Sequence, residues 1–151
     1  MSGASTFKQD IGAFYRAEAL RVTGIFAPQL TGASPPICMV AAKAANRLCR
    51  HLGTDPGGMR QILALPETID FRLKPLAAAF KAQPEALFRL GLIADAASAI
   101  AKTYGDVPTG RIWWHSTNGA SPFDGETPFR FISQNRPEAL LQTNYVIMSP
   151  R

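Results

Sequence analysis

Apolar residues recur at three-to-four spacing along most of the chain, which is the pattern of amphipathic α-helices. A first helix is predicted from Phe7 to about Val22, behind a Thr-x-x-Gln capping box at residues 6–9. Three prolines and a glycine within residues 27–36 then predict a linker. No alternating strand pattern stands out, so we expect either no β-strand or one short β-strand near Tyr145 to Met148. The predicted fold class is all-α, a compact multi-helix domain.

Glycine and proline signals divide the rest of the chain into short helices and one long helix. Gly53 and Gly105 are expected to end the helices before them. Beyond Thr143 no periodicity is visible, so the end of the chain is expected to be an irregular tail. The predicted elements are Ile37–Leu52, Pro56–Leu65, a short helix capped by Thr68 or Asp70 and ended or kinked by Pro75, Leu76–Lys81, Pro84–Tyr104, a short helix from Pro108, a helical turn from Thr127-Pro128, and a last helix from Asn135 and Pro137.

The segment from Ala45 to Leu63 has the spacing of a helix-turn-helix, in which a helix ends, a three-residue turn follows and a short helix begins. Lys43, Arg47 and Arg50 recur at i, i+4 and i+7 on the first helix. Arg60 lies on the second. These four cations are candidate contacts for the phosphates or bases of operator DNA. An ordinary helical hairpin within the core is the alternative.

Composition narrows the class of protein. The 151 residues fit one domain or a domain with a small appendage, and 46% hydrophobic with 18% charged residues exclude global disorder. No apolar run approaches the roughly 18 residues that a membrane span needs. No signal peptide is visible, so a cytoplasmic protein without membrane association is expected. The net charge of +5 is concentrated in residues 1–75, with nine basic against five acidic residues.

The chemistry that an enzyme would need is missing from the sequence. His51 and His115 are isolated, and no nucleophile-elbow or nucleotide-binding motif occurs. Cys38 and Cys49 are about 16 Å apart on one helix, too far for a disulfide, and are interpreted as buried small hydrophobes. We therefore expect no catalytic residue, no metal site and no cofactor.

The second half of the chain contains a series of short motifs in a particular order. They are Glu-Ala-Leu-Phe-Arg-Leu at 85–90, Tyr-Gly-Asp at 104–106, Trp114, Asn118, and Phe-Asp-Gly-Glu-Thr-Pro-Phe at 123–129. Their order and spacing resemble the toxin-binding domain of the Xre/MbcA/ParS-like antitoxin family, from about Glu85 onward. Asp-Gly-Glu stands where that family often has Gly-Gly-Arg before Thr-Pro.

Several of these motif residues are interpreted as structural. Trp114 is expected to anchor a short helix against the long one, and Gly125 to permit a positive φ or close backbone approach. Thr127 is expected to cap a helix whose first residue is Pro128. Asn118 belongs to the same group of family-motif positions.

The resemblance implies an antitoxin of a type II toxin–antitoxin system. Such a protein binds a RES-domain toxin that consumes NAD or uses it for ADP-ribosylation, and it blocks the NAD pocket. It also implies a homodimer within a hetero-oligomer. We therefore divide the chain into an N-terminal, helix-turn-helix-like region at 1–83 and a toxin-binding domain with a C-terminal tail at 84–151.

The tail supplies the candidate toxin-binding residues. The nine residues from Thr143 could extend about 30 Å, with Arg151 pairing with a catalytic carboxylate and Tyr145 or Met148 filling an apolar subsite. The full candidate set is Asn144, Tyr145, Ile147, Met148 and Arg151. Two other functions remain open. One is a helix-turn-helix DNA-binding regulator without a toxin partner, using residues 37–65. The other is a helical accessory or scaffold protein.

Overall fold

The computed structural model describes residues 35–134 and 137–149, and within these ranges the protein is all-α, as predicted. The expected first helix, Phe7 to Val22, lies outside the described residues, as does most of the expected linker. The seven helices of the described chain are α1 (Pro35–Leu52), α2 (Pro56–Leu63), α3 (Leu73–Ala82), α4 (Pro84–Tyr104), α5 (Val107–Trp114), α6 (Pro128–Ile132) and α7 (Pro137–Met148).

The long helix α4 is the centre of the packing. It contacts α1, α2, α3, α5 and α7, and its buried residues face several sides at once. A hydrophobic core joins residues of α1, α2 and α3 to residues of α4 through α7. Helices on both sides of residue 83 therefore share this core.

Helix α1 follows the amphipathic pattern of its sequence. Ala41, Ala45, Leu48 and Leu52 are buried, and the small alanines let α3 and α4 approach closely. Gly53, with φ of 65°, ends the helix as predicted because a left-handed residue at that position is easiest for glycine.

The segment between α2 and α3 differs from its prediction. Helix α2 ends at Leu63, and Ala64 takes a left-handed conformation with φ of 56°. No helix begins at Thr68 or Asp70. Asp70 instead accepts the backbone N–H of Arg72 at 2.8 Å in the turn before α3. Pro75 is the third residue of α3, so it neither ends nor kinks a helix, because its missing N–H falls in the first turn where no intrahelical bond is due.

The remaining helix starts agree with local capping chemistry. The Asp55 carboxylate accepts the Gly58 N–H at 2.8 Å at the start of α2, and Asp106 accepts the Thr109 N–H at 2.7 Å at the start of α5. Helix α4 has its predicted bounds. None of the helices in the described ranges has the length and apolar character needed to cross a membrane.

Candidate functional site

The end of the chain is helical rather than extended. The prediction of an irregular tail from Thr143, or of a short strand near Tyr145, is wrong because α7 continues to Met148. Ser149 prolongs the pattern, since its backbone N–H donates to the carbonyl of Tyr145 at 3.0 Å. A helix of twelve residues is about 18 Å long, so the reach of this segment is shorter than an extended chain allows.

Two polar side chains of α7 are buried, and one of them bonds to another helix. Thr143 donates its hydroxyl to the carbonyl of Ala139 at 2.9 Å. The Asn144 amide Nδ2 donates to the carbonyl of Leu92 on α4 at 3.0 Å. Asn144 is almost fully buried, so the structure gives this candidate toxin-binding residue a contact within the fold. This hydrogen bond joins residues that are 52 positions apart in the sequence, so a local sequence pattern could not predict it.

The other face of α7 presents apolar side chains to solvent. Tyr145 is 68% exposed and Met148 is 39% exposed, and Val146 beside them is also exposed. Ile147 is half-buried and packs against the core. Arg151 lies outside the described residues. Two of the five predicted tail residues are therefore outward-facing in the described chain.

A cleft of about 310 Å³ lies where α7 meets the ends of α4 and α5 and the loop after α5. Its lining contains no charged side chain, which makes it unsuited to an anionic ligand such as a nucleotide. Tyr104 and Val146 are its more exposed aromatic and aliphatic walls. The complete lining is Ile100, Thr103, Tyr104, Trp113, Asn118, Ala120, Phe123, Val146, Ile147 and Ser149.

Aromatic rings form the floor behind this cleft. Trp113 meets Trp114 edge-to-face at a centroid distance of 4.9 Å and Phe123 at 5.9 Å. Phe123 in turn meets Phe131 of α6 at 5.5 Å. Edge-to-face geometry is favourable for such rings, so the floor is a fixed surface that connects α5 to α6.

The loop that carries the family-like motif is built as expected from its residues. Trp114 is buried in the core, and Gly125 has φ of 97°. The backbones of Gly125 and Asn118 are joined by a hydrogen bond of 2.8 Å, from the glycine N–H to the asparagine carbonyl. The Thr127 hydroxyl accepts the Arg130 N–H at 3.1 Å, with Pro128 as the first residue of α6. These contacts are structural, and Asn118 and Phe123 also reach the cleft.

A second surface lies on the solvent side of α1. Lys43, Arg47 and Arg50 are all exposed, and no acidic residue occurs anywhere in the helix. The fourth candidate cation, Arg60, lies on α2. Its Nη1 donates to the carbonyl of Ile69 at 3.0 Å, and its guanidinium lies 5.6 Å from the ring centroid of Phe71. These contacts engage Arg60 within the fold.

Helix α5 extends the cationic surface in a way that the sequence did not indicate. The Arg111 Nη1 donates to the carbonyl of Arg50 at 3.2 Å, at the C-terminal end of α1. His115 Nε2 lies 2.6 Å from the carbonyl of Leu52, and its ring packs on Phe129 at 4.7 Å. Since a carbonyl only accepts, Nε2 carries the proton. Both side chains donate to carbonyls in the last turn of α1, and the Arg50 carbonyl also accepts the Gly53 N–H at 3.3 Å.

The start of α2 packs against neighbouring side chains at Gly58, whereas Pro56 and Gly57 are exposed. A β-carbon at Gly58 would meet the Thr54 hydroxyl, and it would lie 3.2 Å from Cζ of Phe129. The first turn of a recognition helix must be accessible to a DNA groove. Gln61 is the exposed polar side chain that α2 retains, so this helix offers little for base readout.

Several ionisable side chains in the described ranges have pKa values that burial or hydrogen bonds shift. No group of three or more His, Cys, Asp or Glu that could hold a metal ion occurs there. Burial raises the pKa of the Cys38 and Cys49 thiols, which disfavours the nucleophilic thiolate. Hydrogen bonds from Arg72 lower the pKa of Asp70, and hydrogen bonds from Thr109 lower the pKa of Asp106. Both shifts belong to turns and caps.

No family model, curated protein or solved structure matches the chain. The surfaces are therefore interpreted from their own geometry.

Proposed function

We propose that this protein is the antitoxin of a type II toxin–antitoxin system, which binds a RES-domain toxin and obstructs its NAD pocket without catalysing a reaction. The proposal begins from the resemblance of residues 85–129 to the toxin-binding domain of the Xre/MbcA/ParS-like family. The observation that carries it is the arrangement of α7, which exposes Tyr145, Val146 and Met148 while burying Thr143 and Asn144.

The exposed apolar side chains of α7 support protein binding. Large apolar groups that a fold holds in solvent mark interaction surfaces when they are grouped. Tyrosine is also enriched among the residues that dominate interface energies. Because Asn144 anchors the helix to α4, Tyr145 and Met148 are presented on a rigid element. Little conformational entropy is then lost when a partner binds them.

The inserting element in this proposal is the end of α7 with the two residues that follow Ser149. The helical residues from Thr143 to Met148 span less distance than the same residues would in an extended chain. Tyr145 and Met148 then contact the rim of the toxin pocket. Pairing of Arg151 with a catalytic carboxylate of the toxin stays a prediction.

The uncharged cleft beside α7 supports a two-sided interface. Its neutral lining and aromatic floor suit one apolar side chain of the partner. Val146 belongs to this cleft, and its neighbour Tyr145 faces solvent, so one helix serves both contacts. Assembly as a homodimer within a hetero-oligomer is part of the proposal and is measured by the mass of the purified complex.

The test co-expresses the chain with a RES-domain toxin encoded beside its gene. We expect a stable complex and loss of the toxin's NAD consumption. The double variant Tyr145→Ser/Met148→Ser should weaken binding at least about tenfold, since truncation of an interface hot spot costs about 2 kcal/mol or more.

The matched control is Val40→Ser, which removes an exposed apolar side chain from α1 instead. It should leave toxin binding unchanged. Absence of a complex with the native chain would contradict the proposed function. Equal binding by the double variant would contradict the role of α7 alone. Deletion of residues 150–151 tests Arg151 without removing the Asn144 anchor.

A further inference from the structure

The solvent face of α1 has a charge pattern that the proposed function does not use. Lys43, Arg47 and Arg50 follow one line along the helix, and like charges at such spacings repel. None of the ion pairs within the described residues involves these three side chains. The fold therefore gains nothing from placing them together, and the line is available to an anionic partner.

Arg111 adds a fourth cation at the end of this line. Its Nη1 is bonded to the carbonyl of Arg50, and the other N–H groups of its guanidinium remain for further bonds. The acidic residue that follows in the chain, Asp55, uses its carboxylate to cap α2 by accepting the Gly58 N–H. We call Lys43, Arg47, Arg50 and Arg111 the α1 cationic line.

The spacing of the line suits the phosphates of a DNA duplex. Lys43 and Arg50 are separated by about 10 Å along the helix axis, at 1.5 Å per residue. The major groove of B-DNA is about 12 Å wide, so long side chains from this helix reach phosphates at both of its edges. Each neutralised phosphate releases counterions, and that release is a large source of affinity.

A lipid surface is a poorer match for the same charges. Helices that lie on anionic membranes insert an apolar face beside their basic residues. The apolar face of α1, with Ala45, Leu48 and Leu52, is instead buried in the core. The exposed apolar side chains near the line, Val40 and Ile112, are single residues on two different helices and do not form a continuous insertable face, so the charges point to a polyanion in solution.

The structure gives less support for recognition of individual DNA bases than for contacts to phosphates. The exposed residues at the start of α2, Pro56 and Gly57, have no side chain that can hydrogen-bond to a base, and Arg60 is held by Ile69 and Phe71. We propose that the α1 cationic line binds the phosphate backbone of duplex DNA without reading its sequence. This inference does not depend on a toxin partner, and it differs from operator recognition by a helix-turn-helix.

Fluorescence anisotropy with labelled duplexes of two unrelated sequences tests the inference on the full chain alone. We expect similar affinity for both duplexes and a steep fall with salt. The variant Lys43→Gln/Arg47→Gln/Arg50→Gln should lower the slope of log K against log salt by about 1 per cation removed, or about 3 in total.

A matched control removes three exposed cations from other helices, as Lys74→Gln/Lys102→Gln/Arg130→Gln. It carries the same net charge and should retain most of the native slope. Circular dichroism of both variants checks that each remains folded. An equal loss in both would show an effect of net charge only and would overturn the inference.

Three other outcomes would also overturn it. They are no binding of the native chain at low salt, strong preference for one of the two duplexes, and equal binding to vesicles of anionic phospholipid. Equal binding to vesicles would indicate that the α1 cationic line binds a membrane surface in place of DNA.

Discussion

Helices α1 and α7 differ in the side chains that they expose and in the polar residues that they bury. In α1 the apolar residues Ala45, Leu48 and Leu52 are buried, and the exposed side is cationic. In α7 the polar residues Thr143 and Asn144 are buried, and the exposed side carries Tyr145 and other apolar groups. The first arrangement is the ordinary amphipathic helix, and the second departs from it in part.

Burying polar side chains in α7 has a cost that hydrogen bonds offset in part. A buried polar atom without a partner costs about 1–3 kcal/mol. The Asn144 Nδ2 avoids this cost by donating to the carbonyl of Leu92, whereas the Asn144 Oδ1 is buried without a hydrogen-bond partner in the described part of the chain. Thr143 is satisfied by the carbonyl of Ala139. The buried face of α7 therefore combines apolar residues with two polar ones, and its exposed side carries Tyr145, Val146 and Met148.

The comparison separates two kinds of surface in one protein. The charged face of α1 suits long-range, salt-dependent attraction, whereas the apolar face of α7 suits short-range association with a protein. A surface that binds DNA and a surface that binds a toxin would need these two chemistries. Substitutions that act on one helix and leave the other unchanged can therefore test this difference between α1 and α7.

The largest effect is expected from the buried side of α1. Leu52 is fully buried, so Leu52→Ala should lower the free energy of unfolding by about 2–5 kcal/mol through lost burial and a cavity. Denaturant unfolding followed by circular dichroism measures it. Val40→Ala, at a position 63% exposed on the same helix, should change stability by less than about 0.5 kcal/mol. Similar losses in both variants would contradict the amphipathic description of α1.

A smaller but more informative effect is expected at Asn144. Asn144→Ala removes the bond to the Leu92 carbonyl and should cost about 1–3 kcal/mol. The matched control is Gln142→Ala, which shortens an exposed amide side chain on the same helix. The same unfolding experiment compares them. If Asn144→Ala were no worse than the control, the buried anchor would not be what holds α7.

Much of the fold could be predicted because its signals are local. Gly53 and Gly105 ended their helices, and the bounds of α4 followed from Pro84 and a regular apolar pattern. Thr127 and Pro128 started α6 as capping chemistry requires. Such positions depend on interactions within one turn of helix, so the sequence contains all of the relevant information.

Apart from the turn before α3, the features that could not be predicted depend on contacts outside a single helical turn. Asn144 interrupts the apolar pattern of α7, and its partner Leu92 is 52 residues away, so the segment was expected to be irregular. Arg60 was a candidate DNA contact until the fold placed Ile69 and Phe71 around it. Arg111 joined the cationic line because α5 packs on α1, which spacing along the chain does not reveal.

The smallest effect is expected at α5, the helix that closes the end of α1. Hydrogen bonds from Thr109 hold the pKa of Asp106 below its usual value. A lowered folded pKa stabilises the protein above the unfolded pKa of about 3.9, and the contribution is lost as pH falls through the folded pKa. Asp106→Asn keeps a cap at neutral pH but cannot titrate.

Melting temperatures of the native chain and of Asp106→Asn, measured from pH 6 down to pH 3, check this sign. The two should be close at pH 6, and the native chain should lose more stability than the variant below about pH 4. Asp124→Asn is the control, because this exposed carboxylate lies outside the helix caps. If the native chain and Asp106→Asn fell in parallel, the cap of α5 would contribute no pH dependence.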